Sequence, residues 1–362
     1  MDWMIYGASG YTGQLIAELA KSKGRSPILA GRSAEKIQPL ARKLGLPWRA
    51  FPLSSPQLEG VGLVLHCAGP FSQTSRPMVD ACLAARAHYL DVTGEVEVFE
   101  AVLARDAEAR ERGIVLLPGT GFDVVPSDCL AALLKQRLPG AASLELAFAT
   151  RGGSSPGTMK TALENAPRGG LLRRGGKLVR VPPASLVREV PFADKPRQAM
   201  SIPWGDLATA YRSTGIPDIT VYLAASPAAI RGAQLLRYGA PLLALKPVQA
   251  FLRARIEQQV KGPDPAQRAL GSAQFWGRVT TSAATDAAGS ASSGAAHGAA
   301  SAAPQSLEMT MQIGEGYTFT AEAALECAAR VLAAAVQPGA WTPSLAFGAD
   351  FAASLPGVRT SP

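Results

Sequence analysis

Cysteine, histidine and long apolar runs are all scarce in this chain, and each scarcity excludes a class of function. Four cysteines in 362 residues, Cys67, Cys82, Cys129 and Cys327, stand far apart, with no pair at the spacing of a metal knuckle or a redox motif. They read as free, mostly buried thiols. No H-E-x-x-H, no clustered His or Cys set and no G-x-S-x-G occurs, which removes zinc and serine hydrolases and leaves no metal to expect. None of the seven tyrosines has a lysine four residues later, so the Tyr-Lys dyad of short-chain dehydrogenases is absent. No segment reaches the ~18 uninterrupted apolar residues of a bilayer span. The opening Met1-Asp2-Trp3-Met4-Ile5-Tyr6-Gly7 lacks the basic start and apolar core of a signal peptide, so a cytoplasmic location is the expectation.

Lysine and arginine exceed the acidic residues by 36 to 28, a formal charge of +8. The bases are scattered apart from Arg168, Arg173, Arg174, Lys177 and Arg180, and no aromatic residue interleaves that cluster, so nucleic acid is not the expected partner. The cluster reads as a solvated face, or as an attraction for an anionic cofactor or membrane surface.

What the chain does have is alternation. An apolar run at 3–6 precedes a glycine loop, and Leu15, Ile16, Leu19 and Ala20 follow at helical spacing. Strands are predicted at 27–30, 48–53, 61–67, 88–92 and 114–117, with helices at 34–44, about 77–87 and 96–112 between them. Parallel strands need such crossovers, so the fold class is α/β, with an N-terminal doubly wound parallel sheet of the Rossmann type over residues 1–125. Beyond Pro126, strands at 143–150, 178–181, 219–223, 277–282 and 307–313 have longer, irregular connections and predict an α+β domain of mixed or antiparallel sheet over 126–314. Within it, 283–304 is nearly all Ala, Ser and Gly, a composition that predicts a flexible hairpin insert. A helix over 317–336 is expected to pack back on the first domain, which the 315–362 region would complete. Residues 228–260 carry leucines interspersed with Arg231, Arg237, Lys246, Arg253 and Arg255, and read as a helix pair buried between the domains rather than as an interfacial segment.

The glycine loop is Gly7-Ala8-Ser9-Gly10-Tyr11-Thr12-Gly13, a G-x-x-G-x-x-G spacing. The first glycine permits a tight turn, the second lets a pyrophosphate approach the backbone, and the third lets the helix pack closely. Free N–H groups and the positive dipole end of the helix then face the phosphates. At the end of the second strand, Gly31-Arg32-Ser33 stands where an NAD-preferring protein places an acid; a guanidinium and a hydroxyl there suit a 2′-phosphate, so NADP(H) is the expected cofactor. The fourth strand ends in Cys67-Ala68-Gly69-Pro70-Phe71, small residues against which the cofactor riboses could lie, walled by proline and phenylalanine. His66 before them reads as a packed core histidine.

These stretches, with Tyr89-Leu90-Asp91-Val92-Thr93-Gly94-Glu95 and Gly121-Phe122-Asp123-Val124-Val125-Pro126-Ser127-Asp128, resemble the saccharopine dehydrogenase-like oxidoreductases, and among them the trans-acting enoyl reductases. Weaker echoes follow at Gly157-Thr158-Met159, Gly262-Pro263 and Trp341-Thr342-Pro343. The resemblance implies an NADP-binding Rossmann domain, with Thr93 and Gly94 among the cofactor contacts, and reduction of a C=C or C=N bond. Candidates for the proton donor lie beyond strands five and six: Tyr89, Asp91, Glu95 and Asp123. Tyr89, two residues before Asp91, shares its face of the strand. Each of these carboxylates could equally cap a loop or a helix.

The leading expectation is an NADPH-dependent reductase acting on an enoyl bond of an apolar, lipid- or polyketide-like small molecule. An amino-acid-type dehydrogenase, acting at a C–N bond and predicting arginines around substrate carboxylates, is the alternative, with a non-catalytic NADP-binding, membrane-associated protein as a third reading. Peripheral membrane contact through 228–260 and homo-oligomer formation are left open.

Overall fold

A computed structural model describes residues 2–282 and 303–361; most of the predicted insert, 283–302, lies outside the described residues. The first part of the chain alternates as its sequence pattern requires: β1 (Asp2–Tyr6), α1 (Tyr11–Ser22), β2 (Ile28–Gly31), α2 (Ala34–Leu44), β3 (Trp48–Ala50), β4 (Val61–His66), α3 (Phe71–Ala85), β5 (His88–Asp91), α4 (Val96–Leu103), α5 (Asp106–Arg112) and β6 (Val115–Leu117). The strands form one parallel sheet in the order β3-β2-β1-β4-β5-β6, and a short strand, Gly339–Ala340, extends it beside β6. All six residues of β4 are buried, as expected of a central strand covered by helices on both faces. Strand order reverses between β1 and β4, so a crevice opens at their carboxyl ends, the position at which such sheets bind ligands.

From α6 (Val125–Arg137) and β7 (Ala141–Arg151) the architecture changes to a nine-stranded mixed sheet. Strand Asp218–Ala224 runs parallel to β7; Ser272–Thr281 lies antiparallel on its other side, followed by Ser306–Ile313 and Arg359–Ser361. Helix α6 packs on this sheet through Leu130 and Leu134. A Cβ at Gly277 would stand 2.6 Å from a Leu134 methyl, so glycine is what allows the helix this close. Helix Gly316–Leu332 returns to the first sheet and buries Ala323, Ala324, Leu325 and Ala328; its small residues let it lie close to α1. The parallel and mixed sheets are those the alternation predicts.

Several elements depart from expectation. Helix α3 begins at Phe71, not near Pro77, because its first N–H groups are capped by a distant carboxylate described below. The expected helix over 96–112 is two helices, broken at Ala104-Arg105. Arg173 is no solvated base: it is buried against the Tyr211 ring, donates to the carbonyls of Leu207 and Gly176, and pairs with Glu100. Helices Pro227–Leu243 and Lys246–Gln259 form where expected, but they are not buried between the domains: the second has no buried residue, and Leu235, Leu236, Tyr238, Leu242 and Phe251 face solvent.

Candidate active site

The glycine loop between β1 and α1 has a shape that side chains could not share. Gly7 sits at φ +88°, and a Cβ there would lie 2.7 Å from the Ala68 nitrogen and 2.8 Å from the Cys67 carbonyl carbon. A Cβ at Gly13 would lie 2.4 Å from the Gly7 oxygen. These two glycines bring the loop onto the end of β4 and the helix onto the loop. The loop is held by Gly7 and Ala8 N–H groups donating to the Ala30 carbonyl of β2 (2.7 and 3.1 Å) and by Gly10 N–H to Gly7 O (2.9 Å). Gly10 caps α1 without a side chain, so the N–H groups of the first turn, which a helix cannot pair internally, stay available to an anion. Ser9 and Gly10 are exposed at this edge.

At the tip of β2, Gly31 is buried and Arg32 is exposed, with no hydrogen bond or ion pair among the described residues. Ser33 caps α2 only by position; its hydroxyl makes no capping bond. The Glu257 carboxyl is held below its usual range chiefly by Lys160, with Lys36 and Arg32 adding to the effect. Both cations therefore stand near enough to Glu257 to act on its charge. A cradle that excludes any Cβ, an uncapped helix N-terminus and an unpaired guanidinium together fit an NADP-type dinucleotide.

Tyr11 links this cradle to the second sheet. Its hydroxyl donates to the Pro263 carbonyl and accepts from Arg268 (3.0 Å), and its ring stands edge-on to Tyr317 at 4.8 Å. Gly262, at φ +83°, must be glycine, since a Cβ would lie 2.6 Å from the Tyr11 ring. The Tyr317 hydroxyl in turn accepts from Ser155 N–H (2.6 Å) and bonds Thr158 (3.0 Å). The sequence echoes at Thr158 and Gly262-Pro263 thus meet at one place. Arg268 and Tyr317 were invisible to sequence reasoning, because nothing local marks a partner more than 250 residues away.

Beyond β4, His66 is buried among Tyr6, Phe71 and Tyr89, and burial drives its pKa down to about 3; it is a neutral core residue whose Nε2 bonds Thr74 (3.0 Å). Cys67 and Ala68 are half-buried under Gly7, Gly69 is exposed, Pro70 caps α3 by position, and Phe71 enters the core. Glu95 accepts from the Phe71 and Ser72 N–H groups, one to each oxygen, at 2.9 Å. Burial raises its carboxyl while those two bonds pull it down. It is the cap that starts α3.

Tyr89 and Asp91 do share a face: the phenol donates to Asp91 Oδ2 (2.7 Å), and Oδ1 accepts from Thr93 and Gly119 N–H (3.0 and 2.8 Å). Both residues are fully buried, and burial pushes Asp91 up to about 6. Thr93 is buried too, its hydroxyl accepting from Glu95 N–H, which leaves Gly94 facing the crevice. Of the four expected acids, only Asp123 has a carboxyl without a hydrogen-bond partner among the described residues. It lies against Gly94, where a Cβ would come within 2.7 Å of Oδ2, and its backbone oxygen accepts from the Trp204 indole (2.6 Å). Burial, reinforced by the charge of Glu95, pushes its pKa up to about 7. Half-buried Phe122 and Trp204 flank it, backed by Phe148 and Phe275 with ring centroids 4.8 to 6.1 Å apart. The arrangement is a protonatable carboxyl on an aromatic wall, at the carboxyl ends of β5 and β6. At the crevice mouth, Arg168 and Arg180 approach Glu97 at 3.8 and 3.7 Å. A surface depression of about 670 Å³ lined by Leu58, Gly60 and Ala84 lies at the opposite strand ends, away from this chemistry.

Residues 3–117 match the family model of the saccharopine dehydrogenase NADP binding domain. The saccharopine dehydrogenase-like oxidoreductase of Mus musculus is 30% identical over 172 residues, 41% of this chain and 40% of that protein. The trans-acting enoyl reductase of Mycobacterium leprae is 34% identical over 150 residues, 38% of this chain and 36% of that protein. The matched stretches thus cover well under half of these relatives' own lengths. Apo saccharopine dehydrogenase (L-Glu forming) from Saccharomyces cerevisiae aligns over the whole of both chains with a TM-score of 0.64 at 10% identity, a likeness of fold.

Proposed function

Given an NADP-binding domain of the saccharopine dehydrogenase type at residues 3–117, we propose that this chain is an NADPH-dependent oxidoreductase that reduces the C=C bond of an apolar, lipid- or polyketide-like enoyl substrate. The observation that carries the reading is Asp123: a carboxyl held near pKa 7, without a hydrogen-bond partner among the described residues and set beside Phe122 and Trp204. The glycines at 7, 10 and 13 admit the pyrophosphate, Arg32 and Ser33 meet the 2′-phosphate, and the backbone from Cys67 to Pro70 with Gly94 borders the riboses. Bound there, NADPH supplies the hydride. Asp123 gives a proton to the neighbouring carbon of the reduced bond and regains one from water at its exposed edge. The aromatic wall orients the apolar chain and keeps water away from it.

Asp123 must be protonated to act, so kcat/KM should fall as pH rises above about 7. Asp123→Asn should lower kcat by about 10²- to 10⁴-fold with little change in NADPH affinity. Unchanged turnover of enoyl thioesters by this variant would remove Asp123 from the mechanism. A second reading is favoured by Arg168 and Arg180 at the crevice mouth: an amino-acid-type dehydrogenase whose substrate carboxylates displace Glu97. Turnover of imines or secondary amines, with none of enoyl substrates, would select it. Bound NADPH with no turnover of enoyl, keto or imine compounds would instead select a non-catalytic binding protein.

A further inference from the structure

Helices Pro227–Leu243 and Lys246–Gln259 stand on the surface and turn several large apolar side chains outward. Leu235, Tyr238 and Leu242 are 64%, 69% and 65% exposed, and their spacing of three and four residues places them on one stripe of the first helix, with Leu245, 51% exposed, following in the turn between the two helices. Phe251 on the second helix is 64% exposed. Single exposed leucines are ordinary; a continuous stripe of large apolar side chains marks a surface that meets something.

Charge identifies what it meets. Residues 227–259 carry five bases, Arg231, Arg237, Lys246, Arg253 and Arg255, and a single acid, Glu257. Glu257 is already paired with Lys160, and Arg253 with Glu164, while Arg231, Lys246 and Arg255 are exposed beside the stripe. A symmetric contact between two copies would set these like charges against each other. An anionic lipid surface complements both features: leucine, tyrosine and phenylalanine enter the acyl boundary and the bases meet the headgroup phosphates.

We propose that the 227–259 helix pair is a docking surface for anionic phospholipid membranes, lying on the bilayer without crossing it. The pair is tied to the crevice. Gln249 donates to the Leu163 carbonyl (3.1 Å), Arg253 pairs with Glu164 (3.2 Å), and Glu164 accepts from Ser72 in the first turn of α3 (2.7 Å). Docking therefore brings the site's edge to the membrane, where a lipid-like substrate resides. The docking surface itself does not depend on the reaction proposed above and stands if the substrate proves different.

Co-sedimentation of the full chain with vesicles tests it, with no turnover measured. Phosphatidylserine-containing vesicles should carry the protein down at least about tenfold more effectively than pure phosphatidylcholine, and high salt should reduce the difference. Leu242→Asp with Phe251→Asp should abolish sedimentation, as should Arg231→Glu with Lys246→Glu and Arg255→Glu, while NADPH affinity and thermal stability stay unchanged in both. No lipid-dependent sedimentation, or sedimentation kept in both variants, overturns the proposal. So does a lipid-free dimer that the Leu242 and Phe251 substitutions dissociate, since the stripe would then be an interface between copies.

Discussion

Arg32→Ala isolates the electrostatic part of cofactor recognition, because the wild-type guanidinium makes no hydrogen bond or ion pair among the described residues that would confuse the result. Removing an exposed, unpaired side chain should change folding stability by no more than about 0.5 kcal/mol. Its effect on a 2′-phosphate is larger. Two unit charges about 4 Å apart attract by about 1 kcal/mol in bulk water and about 4 kcal/mol at the effective dielectric of a protein surface. A charge-assisted hydrogen bond contributes about 1.5–3 kcal/mol, and Arg32, being exposed, belongs toward the lower end. NADPH affinity should therefore fall about 10- to 60-fold in the variant. NADH, which lacks the phosphate, should lose less than about twofold. Lys36, which acts on Glu257 together with Arg32, keeps the loss from being complete, so adding Lys36→Ala should deepen it. Calorimetric titration of both cofactors at two ionic strengths measures this, and the preference for NADPH should shrink at the higher one. Equal weakening of both cofactors, or unchanged NADPH affinity, would refute the assignment of Arg32.

Three further outcomes follow from the same geometry. Gly13→Ala places a methyl 2.4 Å from the Gly7 oxygen, a backbone atom that cannot rotate away, so it should destabilise the chain by about 1–3 kcal/mol in urea unfolding and abolish measurable NADPH binding. Tyr11→Phe removes the hydroxyl shared by Pro263 and Arg268; a loss of about 1–2 kcal/mol is expected, and NADPH titration should show weaker binding although the residue's backbone is unchanged. Because the Asp123 carboxyl titrates near 7 when folded against an ordinary value of 3.8, the folded chain holds the extra proton between those values. Stability from this group is therefore full below about pH 4 and declines as pH rises to about 7, on the order of 1–2 kcal/mol once solvent at its exposed edge is allowed for, and Asp123→Asn should flatten that part of the curve.

The features legible in the sequence are those whose physical demand is local. Gly7 needs positive φ and Gly13 needs close packing, and both needs arise within a dozen residues, so the loop announces itself. Alternating strands and helices force a parallel sheet for the same reason: each crossover is short and its period is readable. Legibility fails where a side chain's role depends on a partner from another element. Glu95 decides that α3 starts at Phe71, yet it comes 24 residues later, so nothing in the local pattern before Pro77 reveals that the helix has already begun. Arg173 looked like one more surface base because Glu100, Leu207 and Tyr211 converge on it only in the folded chain.

The 227–259 helices show the limit most plainly. Hydrophobic period tells which residues share a face, never what covers that face, so a stripe buried between domains and a stripe offered to a membrane have the same pattern. Only the folded chain separates the two. Its two sheets are already tied together without these helices: Tyr11 reaches Pro263 and Arg268, Asp128 accepts from Ser213 and from the Ser344 N–H, and the segment after Gln337 adds one strand to each sheet. With the domain contact made by other residues, the leucines at 235, 242 and 245 have no interior left to enter. Among the described residues nothing covers these leucines, and the exposed bases around them complement the anionic membrane proposed as their partner.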